Sequence, residues 1–133
     1  FKIKNEIGFE ANSDGDVILH ALFNALSTAI GYKSLGFYAD NMYKKGVTDS
    51  KKYIEFILNK VKERNYKISN LAVMLEGKNP KIDEHIDKIK TSLSKMLKIK
   101  KENIGIAATS GEELTDFGKG LGMQCFCAVT LLN

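Results

Sequence analysis

Two stretches of the chain carry side chains with chemistry to offer. The first is NSDGDVILHA, residues 12–21. Asn12, Ser13, Asp14 and Asp16 crowd Gly15, and His20 follows Asp16 by four residues. On a helix that spacing puts His20 one turn beyond Asp16 on the same side. Imidazole is a common zinc ligand. The same residues also fit a plain helix start, with Ser13 as N-cap and Asp16 at N3 of a capping box. A histidine on such a helix can be a packed side chain or a ligand, and the local sequence leaves both open. The second stretch is ATSGEE, residues 108–113. Hydroxyls from Thr109 and Ser110 and the N–H of Gly111, placed at a strand end, can hold a phosphate. The Glu112 carboxylate suits a hard divalent cation such as Mg²⁺ or Mn²⁺. An ordinary turn uses the same residue types. Further on, Phe117 precedes Lys119, which sits between Gly118 and Gly120 where an ammonium can approach an anion closely. A third anion-friendly place is Pro80–Lys81, expected at a helix start.

These residues need elements to position them. Residues 1–10 alternate weakly and are expected to hold a short strand. Val17, Leu19, Leu22, Phe23, Leu26 and Ile30 recur at helical spacing, which predicts a helix over 14–30 ended by Gly31. Residues 32–48 read as a long irregular connection, the kind that tends to bind ligands or move. Thr48 or Asp49 can cap a helix over 50–65, with Tyr53, Ile54, Ile57, Leu58 and Val61 facing the core. Residues 67–75 read as a strand. Pro80 is expected in the first turn of a helix over 81–98, where a missing N–H costs little, with Ile82, Ile86, Ile89, Leu93 and Leu97 as its buried stripe. Strands follow at 103–109 and 123–132, joined by the glycine-bearing loop 110–122. That loop is too short for a crossover helix, so the last two strands are expected to run antiparallel. The order β-α-α-β-α-β-β predicts an α+β domain, a mixed sheet of about four strands with helices packed on one face. One domain accounts for residues 1–133.

The bulk composition narrows the classes. Of 133 residues, 44% are hydrophobic, enough for a packed core and against disorder. Formal net charge is +4. The basic residues are spread over several helices, and no nucleic-acid motif accompanies them, so solvated helix faces are the preferred reading. No apolar run reaches the roughly 18 residues of a membrane span. Cys125 and Cys127 lie two apart on a strand and point to one face; two such cysteines read as core thiols of a reducing compartment.

Taken together, the pieces resemble the 2-C-methyl-D-erythritol 2,4-cyclodiphosphate synthase family of the non-mevalonate isoprenoid pathway. The resemblance rests on SDGDVxxHA at 13–21, Thr48–Asp49–Ser50, NPKIDEHI at 79–86 and ATSGEEL-x-x-FGKGLGM at 108–123. The first motif is specific and the others support it.

The resemblance implies a homotrimer with active sites between subunits. It implies a substrate, 4-diphosphocytidyl-2-C-methyl-D-erythritol 2-phosphate, whose 2-phosphate attacks the β-phosphate so that CMP leaves and a cyclic diphosphate forms. No nucleic acid or membrane partner is implied. Two metals are: a zinc ion and a Mg²⁺ or Mn²⁺ ion on the substrate diphosphate. By position, His20 is a zinc ligand and Glu112 meets the second metal. Ser110 and Asn12 take the catalytic places, Ser110 stabilising the transition state. Asn12 and Ser13 contact the reacting phosphates, and Thr109, Ser110 and Gly111 grip phosphate with them. Ser34, Leu35 and Gly36 match a ribose-side loop. Gly77, Pro80, Lys81, Ile82 and Asp83 match a cytosine pocket supplied by an adjacent subunit. Phe117 and Lys119 match a loop against the substrate, Lys119 standing where the family has arginine. The family's other two zinc ligands, from a G-x-D-x-H motif, are expected upstream of Phe1. Asn12 stands for a histidine of the family, and Asn24 and Ser34 for aspartates. Those changes keep a second reading open, a catalytically weakened member that binds cytidine nucleotide or isoprenoid phosphates. The pathway runs in bacteria and plastids; the Lys- and Asn-rich composition and divergent loops lean toward a plastid-type organelle, apicoplast or chloroplast, with the bacterial cytoplasm as the alternative.

Overall fold

A computed structural model describes residues 16–133 of the chain. The strand expected over 1–10, and with it Asn12 and Ser13, lies outside the described residues. Four helices and three strands follow in order: α1 Val17–Ala29, α2 Leu35–Lys44, α3 Ser50–Glu63, β1 Lys67–Glu76, α4 Ile86–Leu97, β2 Ile104–Thr109 and β3 Gln124–Leu132. The α+β class with a mixed sheet holds. Among the described residues the sheet has three strands rather than four, in the order β2-β1-β3.

β1 is the central strand. It runs parallel to β2, with Glu76 opposite Thr109, and antiparallel to β3, with Glu76 opposite Gln124. The last two strands therefore run in opposite directions, as expected, yet they do not pair, because β1 lies between them. Alternation divides the sheet into two faces. Leu71, Val73 and Leu75 of β1 and Ile104 of β2 are buried. Cys125, Cys127, Val129 and Leu131 of β3 pack on the same core. α1 lies against β3 and α3, and α4 lies against β2. Leu22, Phe23, Leu26, Ile54 and Ile57 are completely buried between these layers, each contributing about 1.5–3 kcal/mol. The opposite face carries Met74 and Phe126, 62% and 65% exposed, and is covered by no helix among the described residues.

Caps explain most of the helix boundaries. The start of α1 differs from the capping box expected of Ser13. Asp16 is itself the N-cap, and its Oδ1 accepts the Leu19 N–H at 2.9 Å. A carboxylate there satisfies an orphan donor and favours the positive end of the helix. At the far end Gly31, at φ +75°, donates to the Thr28 carbonyl while Tyr32 donates to Ser27. That is a Schellman ending, and it needs a residue at ease in the left-handed region. Asp49 caps α3 by accepting the Lys51 N–H at 3.0 Å.

Two expectations fail here. Residues 32–48 are not irregular, because α2 occupies Leu35–Lys44. Leu35, Tyr38, Ala39 and Met42 form its core-facing stripe, and Gly46 at φ +82° ends it in the same way as Gly31. Pro80 is not in the first turn of α4. It follows a cis peptide at Asn79–Pro80, and the chain makes a 3-10 turn at Asp83–His85 before α4 begins at Ile86. Of the expected stripe, Ile82, Ile89, Leu93 and Leu97 are buried and Ile86 is half-buried.

Candidate active site

The C-terminal ends of β1 and β2 and the start of β3 meet at one edge of the sheet, since Glu76 pairs with both Thr109 and Gln124. Two loops leave from there, and they are tied together. The Gly77 N–H donates to the Thr109 carbonyl at 3.0 Å, and the Lys78 N–H donates to the Phe117 carbonyl at 3.1 Å. Lys78 Nζ lies 3.0 Å from Glu113 Oε1. Thr115 Oγ1 donates to Glu76 Oε1 at 2.7 Å and accepts the Gly118 N–H at 3.0 Å. Of the residues expected in the site, Gly77, Thr109, Ser110, Gly111, Glu112, Phe117 and Lys119 thus belong to one assembly.

The backbone at its centre is unusual. Ser110 is right-handed at φ −74°, Gly111 is left-handed at φ +71°, and Glu112 and Glu113 follow at φ +49° and +63°. A right-handed residue followed by a left-handed one turns successive N–H groups to one side, but the Gly111 N–H, expected to hold phosphate, and the Glu112 N–H are taken by the loop's own hydroxyls. Left-handed backbone at two glutamates costs on the order of 1–3 kcal/mol each, and such strain collects at functional sites. The hydroxyls are arranged to match. Thr109 Oγ1 accepts the Gly111 N–H at 3.2 Å, and Ser110 Oγ accepts the Glu112 N–H at 3.3 Å. Each oxygen is engaged as an acceptor, so its own proton remains available to an acceptor outside the loop. Thr109, Ser110, Glu112 and Lys119 are all exposed.

The start of α1 packs on β3 near this edge, with Cys127 Sγ 4.0 Å from the Ile18 carbonyl oxygen. The thiols face the core as expected, although they are half-buried rather than fully enclosed. A hydrogen bond from Cys127 lowers the Cys125 thiol below its ordinary range, against the effect of burial, and pushes Cys127 far up. His20 is one turn into α1 and exposed.

The ribose-side segment stands at the start of α2. Ser34 and Gly36 are exposed, while Leu35 is 5% exposed and its side chain belongs to the core. The Leu35 N–H is capped from another helix, by Asn24 Oδ1 at 2.8 Å. Ser34, the N-cap by position, makes no side-chain cap bond of its own. In the segment expected to form the cytosine pocket, Lys81 and Asp83 are exposed, Gly77 and Pro80 are half-buried, and Ile82 is a core residue.

The described residues do not by themselves make a metal centre: none of their histidines, cysteines and acids form a group of three or more able to hold an ion. A catalytic zinc takes about three protein ligands. His20 offers one nitrogen and Glu112 one carboxylate, fewer than such a zinc site takes.

A family model described as the YgbB family matches residues 1–132. The chain belongs to the YgbB family. It is 42% identical over 131 residues to the 2-C-methyl-D-erythritol 2,4-cyclodiphosphate synthase of Chlamydia muridarum, an alignment covering 98% of this chain and 73% of that one. The synthase of Chlamydia felis is 41% identical over 131 residues, covering 98% and 74%. Among solved structures, a 2C-methyl-D-erythritol-2,4-cyclodiphosphate synthase matches with a TM-score of 0.83 at 28% identity, covering 92% of this chain and 79% of that one. The bifunctional IspDF from Campylobacter jejuni matches with a TM-score of 0.88 at 27% identity, covering 97% of this chain and 35% of that one. In this YgbB-family chain Asn24 drew notice only as standing for a family aspartate, and Glu76 and Thr115 drew none, although their hydrogen bonds tie these segments together. Glu76 and Thr115 were marked in the sequence only as polar residues at a strand end and in a loop.

Proposed function

We infer that the chain converts 4-diphosphocytidyl-2-C-methyl-D-erythritol 2-phosphate to 2-C-methyl-D-erythritol 2,4-cyclodiphosphate and CMP. The bond that forms joins a 2-phosphate oxygen to the β-phosphorus. The bond that breaks joins that phosphorus to the bridging oxygen, which departs with CMP. The observation that carries this reading is the loop 109–112, with two exposed hydroxyls and a right-then-left-handed backbone at the open sheet edge. The Chlamydia synthases, alike over nearly the whole chain, name the reaction such a grip would serve.

The physical obstacle is repulsion between two anionic phosphates. Two unit charges 4 Å apart repel by about 1 kcal/mol in water and about 4 kcal/mol near a protein surface. Donors fixed before the substrate arrives offset that cost without reorganising. Thr109 and Ser110 donate to phosphate oxygens, Ser110 to the oxygen whose charge grows as the new bond forms. Lys119 brings a positive charge to the same loop. Asn12 and Ser13 hold the attacking phosphate, Ser34 and Gly36 the ribose, and the backbone from Gly77 to Asp83 the cytosine.

Metal ions belong to this reading, with zinc at His20 and Mg²⁺ or Mn²⁺ at Glu112, because imidazole suits zinc and carboxylate suits hard cations. Bound there, they would neutralise phosphate charge. A homotrimer is supported by the uncovered sheet face, where Met74, Phe126 and Leu132 are more than half exposed among the alanines Ala72, Ala107 and Ala128. An apolar face of that kind marks an interface. Of the two compartments considered, the Chlamydia relatives support a bacterial cytoplasm. No helix among the described residues is long and apolar enough to cross a membrane.

The test of the site is His20→Ala. The variant is expected to lose bound zinc and CMP release together, with its folding intact by circular dichroism. Normal zinc content and normal turnover in the variant would refute the assignment of His20.

A further inference from the structure

We propose that Glu76 and Thr115 form a strut that sets the geometry of the catalytic loop, and that they are positioning residues for the reaction inferred above. The inference rests on that reaction, because its target is the Ser110–Glu112 segment.

The strut is defined by three contacts. Glu76, the last residue of the central strand, is half-buried and paired on both sides, so its backbone is fixed by the sheet. Its Oε1 receives the Thr115 hydroxyl proton at 2.7 Å. The Thr115 oxygen in turn receives the Gly118 N–H at 3.0 Å. Donating to a carboxylate makes a hydroxyl oxygen a better acceptor, so the two bonds reinforce each other. The chain from strand to carboxylate to hydroxyl to loop backbone is therefore continuous.

The catalytic segment rests directly on this strut. A Cβ added at Gly111 would lie 2.5 Å from Glu76 Oε1, 3.2 Å from Thr115 Oγ1 and 3.1 Å from the Gly118 Cα. A Cβ added at Gly118 would lie 2.9 Å from the Gly111 carbonyl oxygen and 3.0 Å from the Glu113 N. Gly111 is thus in contact with all three members, and Gly118 packs back on Gly111. Ser110 and Glu112 flank Gly111, so where Gly111 rests decides where the Ser110 hydroxyl and the Glu112 carboxylate point. Neither Glu76 nor Thr115 needs to touch substrate for this. Both left-handed glutamates lie inside the segment the strut closes, which is where an unsupported loop would relax.

Removing the hydroxyl while keeping the branched shape tests the strut. Thr115→Val is expected to lower kcat by about ten- to a hundredfold, the cost of a misplacement near 1 Å. Its CMP affinity, read by calorimetry, stays within about threefold, because CMP lacks the β-phosphate that the loop is placed to grip. Thr115→Ser, which keeps the hydroxyl, restores kcat to within about threefold of the parent. Glu76→Ala combined with Thr115→Val is expected to be no slower than the worse single variant, since both break one linkage. The thermal midpoint of each variant, measured alongside, separates slow turnover from unfolding. Thr115→Val turning over at the parent kcat, or Thr115→Ser failing to restore it, would overturn the strut while leaving the reaction standing. A parent protein that releases no CMP would instead overturn the inferred reaction, and the positioning role with it.

Discussion

Asn24→Ala isolates the contribution of one hydrogen bond to the loop that precedes α2. Asn24 Oδ1 accepts the Leu35 N–H at 2.8 Å, and Leu35 is 5% exposed. Truncation leaves that N–H in a place water reaches poorly, at a helix start whose own N-cap residue makes no side-chain bond. Loss of an N-cap acceptor costs about 0.5–2 kcal/mol, and an unsatisfied buried donor about 1–3 kcal/mol. The two describe the same loss, so about 1.5–2 kcal/mol is expected rather than their sum. Asn24→Asp keeps an oxygen at the same distance and adds negative charge at the positive end of α2, a gain of roughly 0.3–1 kcal/mol. Equilibrium unfolding in urea at one fixed protein concentration reads both, since an oligomer's stability depends on concentration. The order of midpoints should be Asp above Asn above Ala, with unchanged slopes. An alanine variant as stable as the parent, or an aspartate variant less stable than alanine, would refute the capping role.

Gly111→Ala should cost more than a normal surface change, because the position is left-handed and the new methyl meets Glu76 Oε1 at 2.5 Å. About 1–3 kcal/mol of stability and at least tenfold in kcat are expected, read by denaturation and CMP release. Phe126→Asp places a charge on the uncovered sheet face and should shift the proposed trimer to monomer in sedimentation, with loss of activity. A variant that sediments as the parent does would remove that face from the proposed interface.

Apolar periodicity made the core legible before the structure. Tyr53, Ile54, Ile57 and Val61 on α3, and Ile89, Leu93 and Leu97 on α4, all sit where their spacing put them. The α2 helix was missed because Gly36 and a polar surround mask a four-residue stripe, although Leu35, Tyr38, Ala39 and Met42 keep helical spacing and Gly46 supplies the stop. Pro80 misled in the other direction. A proline near a helix signals a first turn, but the 3-10 turn at Asp83–His85 intervenes. Strand pairing was out of reach because short strands carry no record of their neighbour: only the fold puts β1 between β2 and β3. The hydroxyls of Thr109 and Ser110 were visible as a pattern. That their oxygens already accept N–H groups of the loop, leaving them to act outward only as donors, is visible only in the structure.

Whether this chain closes a cyclic diphosphate is tested most directly by ³¹P NMR of the protein mixed with 4-diphosphocytidyl-2-C-methyl-D-erythritol 2-phosphate in the presence of zinc and magnesium. The expectation is that the substrate resonances give way to those of a cyclic diphosphate and CMP in equal amounts. Tight binding of CDP with no CMP formed would contradict it, and would leave a nucleotide-binding relative that has lost the reaction.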